Sequence, residues 1–252
     1  MSTRQRFDGR VCLVTGGGRG IGQALARGLG AEGGRVAVAA RTASQREETA
    51  AHIREAGGEA IPVELDVTDG ASCERAVAEV TDALGPPAIL VNSAGLSDHR
   101  ARVEKHELAA WDRIVDVNLN GTFRVTQACA PALLETKGAV LNISSTTAFF
   151  SLERLTAYGA TKAGIIHFTR TVAREWADRG VRVNALCPGY VVTELSRAFL
   201  ETERLRLEVL DRVAMGRLPE MDEITAPGLF LLSDEASYIT GTWLLVDGGL
   251  AA

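Results

Sequence analysis

The chain has 252 residues, 46% of them hydrophobic and 23% charged, enough to build a real core for one large α/β domain or two small ones. A net charge of −5 and a pI near 5.5 exclude a general attraction to nucleic acid or to an anionic membrane. Residues 1–10 lack an apolar signal-peptide core, and no apolar run is long enough to span a bilayer. Cys12, Cys73, Cys129 and Cys187 form no CxxC pair, and His52, His99, His106 and His167 are scattered, so a cytoplasmic chain with reduced thiols and no metal site is expected.

Short apolar runs at 11–15, 35–40, 60–65, 88–92, 140–144, 181–186 and 243–246 predict seven strands. They are apolar throughout rather than alternating, which is the pattern of parallel strands covered on both faces. Helical patterns at 21–32, 44–56, 71–84, 107–135, 156–178, 194–213 and 221–232 connect them. Such alternation predicts a doubly wound α/β fold, with about seven parallel strands, helices on both faces and one domain over 1–252. Ligands of these sheets bind beyond the carboxyl ends of the strands, so the functional residues are expected just after strands.

The first strand runs into Thr15-Gly16-Gly17-Gly18-Arg19-Gly20-Ile21-Gly22, where glycines permit a tight turn and close approach of a diphosphate. The helix that follows offers free N–H groups and a positive dipole end. An NAD site usually carries an acidic residue about 20 positions beyond the glycines; Ala39-Ala40-Arg41-Thr42 stands there instead. Arg41, with Arg19 from the loop, is suited to fork a 2′-phosphate, so the expected cofactor is NADP(H).

Further along, Ser145 ends the fifth strand, and thirteen residues later comes Tyr158-Gly159-Ala160-Thr161-Lys162. Residues four apart share a helix face. A nearby ammonium would lower the phenol pKa from its ordinary value near 10 and make Tyr158 a usable acid and base.

Taken together, these motifs resemble the short-chain dehydrogenase/reductase family, in its single-domain Rossmann-fold branch, similar to 3-oxoacyl-carrier-protein reductase-like members. The resemblance covers nearly the whole length. It rests on Thr15-Gly16-x-x-x-Gly20-Ile21-Gly22, on Asp66-Val67, and on Asn92-Ser93-Ala94-Gly95, with serine in place of the family's second asparagine. It rests also on Asn118 in Val117-Asn118-Leu119, on Ser145, Tyr158 and Lys162, on Pro188-Gly189 with Val191 and Thr193, and on Val246-Asp247-Gly248-Gly249.

The resemblance implies hydride transfer between a nicotinamide and a carbonyl or secondary alcohol. Tyr158 is then the acid/base, Lys162 lowers its pKa and bonds the nicotinamide ribose, and Ser145 holds the substrate oxygen. Asn118 holds a water that links Lys162 to solvent. Cofactor contacts are implied for Thr15, Gly16, Gly18, Arg19, Gly20, Ile21, Gly22, Arg41, Thr42, Asp66, Val67, Asn92, Ala94, Gly95, Pro188, Gly189, Val191 and Thr193. By the same analogy Phe149, Phe150, Leu152, Tyr190, Leu195 and Phe199 form an apolar substrate wall, and a lid lies near 190–215. A homotetramer or dimer is implied, with Ala128, Ala130, Ala132, Ala163, Gly164 and Phe168 as contact surface. The other readings are a non-catalytic redox sensor, an NAD-dependent sugar or polyol dehydrogenase, and a lyase, epimerase or dehydratase that uses bound NAD.

Overall fold

Seven short strands form one fully parallel sheet in a computed structural model that describes residues 5–97, 99–194, 196 and 201–252, without the side chains of 204 and 205. The strands are β1 Val11–Thr15, β2 Arg35–Ala40, β3 Glu59–Glu64, β4 Ile89–Asn92, β5 Ala139–Ile143, β6 Arg182–Pro188 and β7 Trp243–Val246, in the order β3-β2-β1-β4-β5-β6-β7. The order reverses at β1, which pairs with β2 on one side and β4 on the other. At that switch point Thr15 lies level with Ala39 and Asn92, so a crevice opens above the carboxyl ends.

Side chains alternate across the sheet with period two, and each strand feeds two cores. Cys12 and Val14 of β1, Ile89 and Val91 of β4 and Leu141 of β5 point to one face. There they meet Leu25 and Leu29 of α1 (Gly20–Ala31), Ile53 of α2 (Ala43–Glu55) and Leu229 of α8 (Met221–Leu232). Leu13, Leu90 and Val140 point to the other face. They meet Val80 of α3 (Gly70–Leu84), Leu133 of α5 (Gly121–Thr136) and Val172 of α6 (Thr156–Trp176). Each fully buried leucine here contributes roughly 1.5–3 kcal/mol by leaving water. Double coverage is why the strands read as unbroken apolar runs.

One expected helix differs from the sequence pattern. The run at 107–135 is not one helix. It is α4 (Leu108–Val115), a π-helical turn at Asp116–Asn120, and α5. The Gly121 N–H reaches back to the Asp116 carbonyl, five residues rather than four, so one extra residue is accommodated. Of the pattern at 194–213, residues 195 and 197–200 lie outside the described residues, and its later part is α7 at Glu203–Arg212. Its Val209 and Val213 pack with Leu250, Phe150, Tyr190 and Leu218.

Candidate active site

The glycine loop needs its glycines for space. Gly16 has φ +63°, and a Cβ there would lie 2.9 Å from the Ala94 backbone. A Cβ on Gly18 would lie 2.8 Å from Gln45 Cβ, and one on Gly22 would collide with the Gly16 carbonyl. Beneath the loop, Thr15 Oγ1 accepts hydrogen bonds from Ser93 N and Ala94 N, both 3.1 Å, and joins the ends of β1 and β4. Arg19 is the N-cap of α1, extended at φ −157°, with no side-chain cap on the helix. The first-turn N–H groups of α1 are thus left to an anion.

Arg41, Thr42 and Gln45 border the same cleft, opposite Asp66 and Val67. Arg46 braces this rim by donating to the carbonyls of Ala40 (3.2 Å) and Arg41 (2.9 Å). Partial burial raises the Asp66 carboxyl. Bonds from Thr68 N (2.9 Å) and Oγ1 (2.7 Å), with Arg41 and Arg124 nearby, outweigh that and hold it below its ordinary value. Arg19 does not stand beside Arg41 as an open cation: its guanidinium pairs with Glu194 at 2.8 Å. Both side chains are about half exposed, so the pair is worth at most about 1 kcal/mol.

Ser145 closes β5 and caps a 3₁₀ turn over Thr146–Ala148, its Oγ accepting from Thr147 N at 3.2 Å. Tyr158 and Lys162 arrive from the first turns of α6. The Ser144 hydroxyl donates to the Lys162 carbonyl at 2.8 Å and pins helix to strand. Lys162 Nζ lies 5.5 Å from the Tyr158 ring centroid and donates to the Ile143 carbonyl at 2.9 Å. Burial pushes the Lys162 ammonium down to about 8. Burial raises the Tyr158 phenol, and its hydrogen bond with Ser145 draws it part of the way back. The expectation that Lys162 lowers the phenol pKa is therefore not met in the chain by itself. The two share a face, but desolvation dominates both groups, and the only downward pull on the phenol comes from Ser145.

Asn118 sits in the π turn, fully buried, behind the cleft rather than on it. Its Oδ1 accepts from Leu96 N (2.8 Å), and its Nδ2 donates to Leu96 O (2.9 Å) and Thr161 Oγ1 (3.2 Å). Thr161 in turn donates to the Tyr158 carbonyl at 2.7 Å. Both ends of the amide are thus engaged by protein, and the side chain clamps Leu96 to Thr161. Asn92 is also turned inward, donating to Asn142 Oδ1 (2.8 Å) and Thr126 Oγ1 (3.0 Å).

A continuous cleft of about 390 Å³ joins these groups. Gly16, Gly18, Arg19, Gly20, Ile21, Arg41, Thr42, Asp66, Val67, Ala94, Gly95, Pro188, Gly189, Val191 and Thr193 line it together with Ser145, Tyr158 and Lys162. Thr15, Gly22, Asn92 and Asn118 support it from behind. Gly189 is pressed against the C-terminal segment, where a Cβ would lie 2.9 Å from that of Asp247. Phe150, Leu152 and Tyr190 line the substrate end as expected. Phe149 does not. It is 41% exposed and stacks on Trp243 at 5.8 Å, turned out of the cleft by a partner 94 positions away (243 − 149). Leu195 and Phe199 lie outside the described residues.

Gln45, Thr147, Leu155 and Glu194 also line the cleft, though no motif marks them. Leu155 is joined to Ala101 by an isolated bridge, which exists only once the chain is folded. His99 and His106, scattered in sequence, meet edge-on with centroids 4.7 Å apart. Among the described residues no group of three or more His, Cys, Asp or Glu could hold a metal ion. All four cysteines are buried and free, and no helix of the described residues is long and apolar enough to cross a membrane.

The floor of the cleft fits an extended dinucleotide, because Gly16 and Gly18 leave bare the space that side chains would fill and α1 presents its N-terminus there. Comparison with known proteins agrees. The family model described as Enoyl-(Acyl carrier protein) reductase matches residues 16–251. The chain is 35% identical to the 3-oxoacyl-acyl-carrier-protein reductase FabG of Thermotoga maritima, over 97% of this chain and 99% of that one. It is 39% identical to a galactitol 2-dehydrogenase (L-tagatose-forming) of Cereibacter sphaeroides, over 97% and 96%. Its structure is similar to that of a gluconate 5-dehydrogenase from Burkholderia cenocepacia J2315 in complex with NADP and tartrate. That likeness has a TM-score of 0.94 at 34% identity, covering 98% of this chain and 97% of the other.

Proposed function

The chain belongs to the short-chain dehydrogenase/reductase family, NAD(P)-dependent oxidoreductases of carbonyl and alcohol groups, and on that footing we propose that it uses NADP(H) and moves its proton through Tyr158. The observation that carries this reading is the meeting of Ser145, Tyr158 and Lys162 in one cleft that continues to Arg41. When bound, the nicotinamide gives or takes the hydride. The protein's own part is to orient, to polarise and to move one proton.

Tyr158 gives its phenolic proton to the carbonyl oxygen in reduction and takes the hydroxyl proton in oxidation. Its raised pKa keeps the proton on at neutral pH, which is the form that reduction needs. The Ser145 hydroxyl converges on the same oxygen and stabilises the charge that develops there. Lys162, one helical turn from Tyr158, is assigned to the nicotinamide ribose hydroxyls. Asn118 is a positioning residue that fixes Leu96 on one side and, through Thr161, the Tyr158 turn on the other. Arg41 takes the 2′-phosphate. Glu194 on Arg19 and the absence of a carboxylate directly after β2 support that assignment, since Arg41 lines the cleft at the β2 rim while Arg46 is engaged by the carbonyls of Ala40 and Arg41.

The same pairing of Arg19 favours a second reading. If Arg41 alone does not hold a phosphate, the chain is an NAD(H)-dependent sugar or polyol dehydrogenase, as the galactitol relative suggests. The wider assignment treats 1–252 as one cytoplasmic domain, with α7 and its flanks covering the substrate end. The four free, buried thiols support the compartment. A homotetramer or dimer is supported by exposed Phe123 beside Phe168 on the α5/α6 face and by Trp243 and Leu245 on the open edge strand β7.

The test is turnover of NADPH and NADH with ketones, diketones and acyl thioesters, and of NADP⁺ and NAD⁺ with alcohols and polyols, with Tyr158→Phe alongside. The expected result is a preference for NADPH and a loss of about 10²–10⁴-fold in kcat in the variant, with cofactor affinity retained. A fully active Tyr158→Phe would overturn the mechanism. A preference for NADH would leave the mechanism standing and select the second reading.

A further inference from the structure

Arg19 is carried by the one stretch of the glycine loop that touches both walls of the cofactor cleft. On one side the loop rests on the β2 rim. The Gly17 N–H donates to the Ala39 carbonyl at 3.2 Å, and a Cβ on Gly18 would lie 2.8 Å from that of Gln45 in α2. On the other side a Cβ on Gly20 would lie 3.5 Å from Thr193 Cγ2. Arg19 is extended between these contacts, and its guanidinium has gone to the second wall, onto Glu194 at 2.8 Å. Arg41 stands at the first wall, near enough to Asp66 to help hold that carboxyl down. Resting on the NADP(H) reading, we infer that Glu194 is a positioning residue that grades cofactor choice: it keeps Arg19 from the β2 rim in the free chain and beside NAD(H), and yields it when a 2′-phosphate arrives there.

Charge decides which partner wins. Glu194 offers one negative charge, whereas a phosphate monoester carries close to two and presents three acceptor oxygens to a guanidinium fork. NAD(H) has a neutral hydroxyl at that place and nothing to draw Arg19 away. Without a phosphate, bringing Arg19 to Arg41 would set two like charges side by side, so the pair with Glu194 is where the cation rests. Glu194 therefore stabilises the free and NAD(H)-bound states and not the NADP(H)-bound one. Both side chains are about half exposed, so the pair weakens NADP(H) binding by no more than about fivefold. The same exposure leaves the freed carboxylate in water, so no unpaired charge is buried when Arg19 departs. A groove between α1 and α8 lies on the outer side of the pair, bordered by Arg19, Glu194, Ala24 and Met221, and gives Glu194 room to turn outward.

Fluorescence titration of the substrate-free protein with NADPH and with NADH reads the two affinities without any turnover. Wild type, Glu194→Gln, Arg19→Gln and the double variant would be compared. The NADPH-to-NADH affinity ratio is expected to rise about three- to fivefold in Glu194→Gln and to fall about tenfold in Arg19→Gln. In the double variant it is expected to equal that of Arg19→Gln, because Glu194 acts only through that guanidinium. A loss of local structure alone would weaken both cofactors together and leave the ratio where it was. A ratio unmoved by Glu194→Gln, or one that rises as much with Arg19 removed, overturns the inference. If the wild type still prefers NADPH in that case, the NADP(H) reading stands without it. A wild type that binds NADH more tightly, with the ratio shifting as expected in all three variants, supports the inference and refutes the NADP(H) reading. Protein that binds neither cofactor overturns both.

Discussion

Lys162 stores a cost that can be measured without any substrate. Its ammonium is buried, 6% exposed, and donates a hydrogen bond to the Ile143 carbonyl. Burial moves its pKa from 10.5 to about 8. Each pH unit of that displacement is worth about 1.4 kcal/mol, so holding the charge inside costs the folded chain about 3 kcal/mol at neutral pH. Lys162→Met keeps the length and drops the charge, while the lost bond to Ile143 costs about 1 kcal/mol. The variant is therefore expected to be more stable than the wild type by roughly 1–3 kcal/mol at pH 7, and catalytically dead. The unfolded lysine holds its proton up to about 10.5 and the folded one only to about 8, so wild-type stability gains relative to the variant as pH rises through that window. The four thiols, raised by burial to between about 11 and 12, lose stability with rising pH; Cys12, Cys73 and Cys129 do so equally in both proteins, and Cys187, which the Lys162 charge draws down, does so slightly more in the variant. Urea unfolding of the cofactor-free proteins at pH 7, 8, 9 and 10 reads the difference directly. A variant less stable than wild type at pH 7, or a difference that does not shrink by pH 10, would refute the reasoning.

Two further outcomes follow from the same site. Arg41→Ala is expected to weaken NADPH binding by about 10–100-fold and NADH binding far less, as loss of a charge-assisted bond to the 2′-phosphate requires; equal losses in a fluorescence titration would remove Arg41 from that role. Because the Tyr158 phenol is raised above its ordinary value near 10, alcohol oxidation should keep accelerating as pH climbs above neutrality while carbonyl reduction stays level until the strongly alkaline end of the range. Rate profiles for the two directions that run in parallel would contradict this.

The strands were legible because each is covered on both faces, so nearly every position is apolar. β1, β2 and β7 fall at the expected residues, and β6 runs two residues past the expected 186, where Pro188 pairs with Val246. The glycine loop and the Tyr158–Lys162 pair were legible because a turn and one helical repeat are local. What escaped the sequence depends on partners far along the chain. Phe149 looks like a cleft residue until Trp243 takes it. Arg19 looks like a phosphate ligand until Glu194 claims it. The balance between Tyr158 and Lys162 depends on how deeply each is buried, and neighbours in sequence do not report that.

The π turn at Asp116–Asn120 sets the angular phase of everything beyond it. Ala110 and Ile114 face the interior before it, and Val125, Cys129 and Leu133 face the interior after it. A regular helix advances about 100° per residue, so one continuous α-helix could not serve both sets and also aim Asn118 at Leu96. Deleting a single residue here would heal the hydrogen-bond ladder and make the helix more regular. It would leave the α5 stripe on the sheet, because the wide turn already absorbs the surplus residue, but it would draw Asn118 out of register with Leu96 and release that loop from its clamp. The irregular turn is a fixed offset between two gears, and the site and the core stay meshed only while that one surplus residue is kept.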